Sequence, residues 1–264
     1  MLEVFEYPFM RRAFIVGTLV AIILPCMGLP ILLKRLAMMG ETLSHASLAG
    51  VVIGLCFGIN PVFSALTACI LAGISVEIIR NKLKAYQEIS TAIILANSIG
   101  LAGVFTSFAG SGKTISSYLF GSIVTIGDEE FYLVILITAV VLIAFKLIYD
   151  RLYLSIFDPA AAKLLGIRTS MLNGIFSFLV AITVSIAVKT IGSMIVSSLL
   201  ILPVICAMRF AKTYKGTLFL SIGLSLMFVY IGLFLSYFFN LRPGAVIVLI
   251  AVAFLILFML IKKR

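Results

Sequence analysis

The chain has a single histidine, few charges and no paired-cysteine motif, and each scarcity removes a class of function. One histidine, His45, leaves no HExxH zinc-protease pattern, and a Ser–His–Asp reading finds no acid partner in a soluble pocket. Cys26, Cys56, Cys69 and Cys206 stand alone in apolar segments, so they read as small buried hydrophobes rather than disulfide or metal ligands. Charged residues make up only 11% of 264 residues while 63% are hydrophobic, which excludes a soluble globule. The first twelve residues place Glu3 and Glu6 before Arg11 and Arg12 with no cleavage pattern after them, so no removable signal peptide is expected.

What is present is a succession of long apolar runs. About nine reach the roughly 20 residues a bilayer crossing needs. They cover approximately 13–33, 41–59, 61–79, 91–109, 130–149, 172–190, 193–211, 216–239 and 244–261. In lipid every backbone polar group must be satisfied internally, so the fold class is an all-α polytopic membrane protein. No soluble domain fits between the runs, and 1–264 reads as one transmembrane domain. The 41–59 run is short and carries Glu41, Ser44, His45 and Ser47. Were it broken or re-entrant, the count would fall to eight and the N-terminus would change sides.

The net charge of +10 could suggest nucleic acid, but the basic residues cluster in short loops at the ends of apolar runs. With Lys262, Lys263 and Arg264 placed inside, three quarters of all Lys and Arg fall on the cytoplasmic side, as the positive-inside rule expects. Arg11 and Arg12 then lie outside, against the rule.

Two connecting segments stand out. The outer one, 110–130, holds Ser116 to Ser122, too polar and short to span, and Asp128, Glu129 and Glu130 at a helix start where acids suit the dipole. It also holds Ala109-Gly-Ser-Gly-Lys-Thr114, which imitates a phosphate-binding loop. Position 107 is Ser107 where that pattern requires glycine, and no strand precedes it, so the chain is not expected to hydrolyse nucleotide. The inner segment contains Asp158, Pro159, Ala160, Ala161, Ala162, Lys163, Leu164, Leu165 and Gly166. Asp158 suits an N-cap, Pro159 the first helical position, the alanines a helix and Gly166 its stop. This short helix is either a plain connector or a surface pushed by a cytoplasmic partner.

Glu41 and His45 are four residues apart and share one face of a helix. Two readings stand: an internal pair that helps helices associate, or a transient cation site. A carboxylate and an imidazole make a half-site suited to a first-row transition metal, zinc more than magnesium or calcium. Two donors are too few for a stable tetrahedral site, which suits a conduit, and a homodimer would bring a second pair. Lys189-Thr-Ile-Gly-Ser193 and Arg242-Pro-Gly244 read as outer turns, and Ser197, Ser198 and Pro203 as helix packing with a kink.

These stretches together resemble the permeases of ABC importers for zinc, manganese and iron. The resemblance rests on Gly40-Glu-Thr-Leu-Ser-His-Ala-Ser-Leu-Ala-Gly-Val51, Tyr118 to Ser122, Phe157 to Ile167, Val188 to Gly192, Ser197 to Pro203 and Pro243 to Ala245, in the family's order. The family usually has Asp where this chain has Glu41. The resemblance implies the metal-chelate type of importer architecture in a bacterial cytoplasmic membrane. It also implies a permease homodimer, a separate cytoplasmic ATP-binding subunit and an extracytoplasmic metal-binding protein. Glu41 and His45 would form the transit site, and Asp158 to Gly166 the element that seats in the ATPase. The Ser-Leu-Ala-Gly ending of the His45 motif looks more like the zinc branch than the manganese branch. A gradient-driven secondary transporter is the alternative of a different class.

Overall fold

The computed structural model describes residues 8–83, 87–109, 127–239 and 241–261. Among the described residues every regular element is a helix: α1 Pro8–Leu33, α2 Met39–Phe57, α3 Pro61–Lys82, α4 Gln87–Ala109 and α5 Asp128–Phe157. The short α6, Pro159–Leu164, follows. After it come α7 Thr169–Ile191, α8 Ser193–Met208, α9 Tyr214–Phe239 and α10 Pro243–Ile261. The outer segment 110–126, with the phosphate-loop imitation and Tyr118 to Ser122, and the basic tail 262–264 lie outside the described residues.

Among the described residues eight helices are long and apolar enough to cross a membrane. The ninth long element, α8, has 16 residues. At about 1.5 Å per residue that is about 24 Å, short of a hydrocarbon core of roughly 30 Å. It nevertheless runs from one end of the bundle to the other. Near its start Ile195 lies against Gly244 of α10, and just past its end Phe210 meets Phe258 of α10, ring centroids 4.9 Å apart. A helix packed by α1, α2, α7, α9 and α10 is shielded from lipid and need not match its thickness.

The predicted runs therefore become helices, and α2 is one unbroken helix of 19 residues. The alternative of a broken second span is set aside by its closed ends: the chain leaves through Gly58 at φ 66° and turns back at Asn60, whose side chain accepts from Val62 N at 2.9 Å. The fifth run extends two turns further than its apolar residues predict. Asp150 and Arg151 do not stop it because nothing there breaks a helix; the stop comes at the Asp158–Pro159 step.

Contacts fix which ends lie together. Arg12 of α1 pairs with Asp128 at the start of α5, and Lys189 near the end of α7 pairs with Glu130 at 2.7 Å. The start of α1 thus lies at the end of the bundle opposite α6. Asp128 offsets the charge of Arg12 at that end.

Close packing uses small residues. Gly28 lets α1 approach α8 until a Cβ there would collide with the carbonyl oxygen of Leu200. Gly50 does the same between α2 and α3, where a Cβ would stand 2.6 Å from Ser64 O and 2.7 Å from Ala68 Cβ. Hydroxyls reinforce the second contact: Ser64 Oγ donates to Gly50 O at 2.6 Å.

Candidate functional site

α2 is held on several sides. Cys69 Sγ of α3 donates to Leu43 O at 3.1 Å, Thr42 Oγ1 donates to Thr91 O of α4 at 3.1 Å, and Gly40 rests on Leu200 and Ser197 of α8. Of the thirteen positions from Met39 to Val51, all are buried except Glu41, which is exposed, and His45, which is half-buried. Neither side chain has a hydrogen bond or ion pair with another described residue. The helix that carries the acid and the imidazole is clamped, and the two groups themselves are left open.

This weakens the reading of an internal structural pair, which would hydrogen-bond to a neighbouring helix. It also leaves the half-site a half-site: among the described residues no group of three or more His, Cys, Asp and Glu side chains could hold a metal ion. Ser44 Oγ, buried one position before His45, has no partner.

The segment Asp158 to Gly166 forms the expected short helix. Asp158 Oδ1 accepts from Ala161 N at 2.9 Å, Pro159 opens the first turn, and Gly166 takes φ 74° as the chain leaves. Ala162 is fully buried, while Leu164 and Leu165 are 89% and 72% exposed. Two large apolar side chains are thus left bare at the tip of the capped helix.

Three charge features escaped the sequence reading. Glu77 and Arg80, counted there as part of an apolar run and a loop, form a buried ion pair at 2.9 Å one turn apart on α3. The signal was an acid at i−3 from a base inside an apolar run. Lys34, just past α1, donates to Asn173 Oδ1 of α7 at 2.5 Å and sits 5.0 Å over the ring of Phe176. Burial pushes its pKa down to about 7; nearby Arg80 lowers it further and Glu77 works against both. At the other end, the Lys189–Glu130 pair borders a cavity of about 200 Å³ shared with Asn60 and Thr190. Nothing in the spacing of Lys34 and Asn173 foretold that they meet.

The bundle of long apolar helices with a capped surface helix at one end is that of a multi-pass membrane protein. The chain belongs to the ABC 3 transport family, whose family model matches residues 6–262. It is thus the membrane component of an ABC transporter and not an enzyme. A Treponema pallidum protein described as "Probable metal transport system membrane protein" is 31% identical, covering 96% of this chain and 95% of its own. The manganese transport system membrane protein MntC of Listeria monocytogenes is 28% identical, with 98% and 93% covered. The solved structure of PsaBC from Streptococcus pneumoniae in complex with Fab superposes with a TM-score of 0.85 at 25% identity, covering 97% of this chain and 92% of that one.

Proposed function

We propose that the chain is the permease subunit of an importer for a divalent transition metal ion, working as a homodimer by alternating access. The observation that carries the reading is the open pair on a clamped helix. Glu41 and His45 are unpartnered among the described residues, one exposed and one half-buried, and a second copy would supply a second pair facing them. The cation is cargo, so weak binding by few ligands at any moment is what the role requires.

The end carrying α6 faces the cytoplasm in this reading, with the C-terminus on the same side. The exposed Leu164 and Leu165 seat in a separate ATP-binding subunit, and an external binding protein delivers the metal to the opposite end. ATP binding and hydrolysis bias a two-state equilibrium of the dimer, and α6 receives that bias.

Two metals compete. The ending of the His45 motif favours zinc, whereas relatives named for a metal are manganese systems, from Listeria monocytogenes and Streptococcus gordonii. The relatives weigh more, because they cover 98% of this chain rather than one motif. The test is uptake of radioactive manganese and zinc by the complex in proteoliposomes. Import of one of them is expected, and His45→Ala should cut it by at least an order of magnitude while the complex assembles and binds ATP. Undiminished uptake by that variant at limiting metal would remove the transit site.

A further inference from the structure

The helix α6 packs chiefly on α5 and α7, so a displacement of α6 leaves it through those two helices. Four residues separate the end of α6 from the start of α7, whose second turn carries Asn173. Asn173 Oδ1 accepts from Lys34 Nζ at 2.5 Å, and one turn further along α7 the ring of Phe176 lies under the same ammonium group. Two residues on one face of α7 therefore grip one side chain.

Lys34 belongs to the elbow between α1 and α2, close before Glu41. That elbow is tightly set. Arg35 adopts φ 57°, the left-handed conformation that residues other than glycine rarely occupy. Backbone bonds from Arg35 N to Leu32 O and Leu36 N to Ile31 O, both 3.0 Å, close the end of α1, and Leu36 is buried. Met39 N donates to Leu36 O at 2.8 Å, so the elbow passes directly into the first turn of α2.

The site is a poor one for an ammonium group on stability grounds alone. Two charged groups of α3 face it, Arg80 and Glu77. Glu77 Oε1 accepts from Arg80 at 2.9 Å and Asn81 at 3.3 Å, Glu77 Oε2 has no partner among the described residues, and the lysine's hydrogen bond goes to the neutral Asn173. A cation kept beside a buried guanidinium, tied to a neutral amide, is placed for a connection.

We propose that Lys34 is a positioning residue of the transport cycle, a strut through which the start of α7 sets the elbow and hence the helix carrying Glu41 and His45. This rests on the reading of α6 as the site that receives the ATPase. Metal uptake and ATP hydrolysis would be measured together in proteoliposomes holding the whole complex, giving ATP consumed per ion imported. Lys34→Met and Asn173→Leu should each raise that ratio several-fold with hydrolysis retained. The double variant should be no worse than the worse single, because both remove one link. Asn173→Asp, which keeps an acceptor, should hold the ratio of the parent protein.

Ratios unchanged in the single variants, effects that multiply in the double variant, or variants that never assemble would each overturn the strut. A failure of the underlying reading looks different. Leu164→Asp with Leu165→Asp would then leave ATPase attachment and transport intact, whatever Lys34 does.

Discussion

α2 and α10 have the same length, 19 residues, and opposite characters. α10 is the most apolar of the membrane-crossing helices, and only 17% of its apolar window is buried within the chain. α2 is the least apolar, and 67% of its window is buried. In water the order would be reversed. In a bilayer the lipid takes the apolar helix and the protein interior takes the polar one, because hydroxyls and close backbones find partners only in protein. The polarity of α2 thus goes with its place inside the bundle, and Glu41 and His45 are the two positions of its first turns that the chain does not bury.

That contrast can be broken by bulk. Gly50→Leu on α2 would drive a side chain into Ser64 and Ala68, whereas at Gly100 of α4 a Cβ meets nothing within 4 Å. The first change should cost well above the roughly 1–3 kcal/mol of ordinary overpacking and abolish recovery of folded protein. Gly100→Leu should leave the yield and the melting temperature near those of the parent, both measurable by fluorescence-detected chromatography with heating. Equal losses at the two positions would show that α2 is no more closely held than a lipid-facing helix.

A second, smaller effect tests the prolonged end of α5. Tyr149, Tyr153 and Phe157 form a stripe along its last two turns, and Tyr214 at the start of α9 packs on all three, with centroids 5.4, 5.2 and 6.0 Å away. The Tyr149 and Tyr214 hydroxyls are buried without partners. Tyr214→Ala should therefore destabilise by about 3–5 kcal/mol, the scale of emptying an aromatic site. Tyr214→Phe should be neutral or slightly stabilising, since no hydrogen bond is lost. A clear drop in melting temperature for the Phe variant would contradict the packing described.

The smallest expected effect is electrostatic. The pKa of Lys34 falls from its ordinary 10.5 to about 7 in the fold, chiefly through burial. Between these values the unfolded chain binds the extra proton, so the contribution of Lys34 to stability rises with pH through that window and is lost as pH falls towards 7. The melting temperature of the parent minus that of Lys34→Met should climb by several degrees from pH 7 to pH 9.5. A flat difference would mean the ammonium is hydrated.

Much of this was readable in one dimension. Apolar runs near the bilayer length gave the helices, because lipid leaves the backbone no other solution. The caps of α6 could be read from Asp158, Pro159 and Gly166, since N-cap and left-handed requirements are local. The boundary of α5 was misjudged because hydropathy marks where lipid ends, while only a breaker marks where a helix ends. The Glu77–Arg80 pair was legible in its spacing and overlooked inside an apolar run.

The sequence by itself determined the all-helical membrane fold, the short capped helix and the presence of an acid and an imidazole on one turn, since each depends on neighbours within a few residues. Only the tertiary structure decided that Glu41 lies exposed and His45 half-buried while the rest of their turn is clamped, that α8 hides at the centre, and that Lys34 reaches Asn173. Those facts depend on which helices meet, and that is settled by close approach of small residues far apart in the chain, such as Gly28 with Leu200.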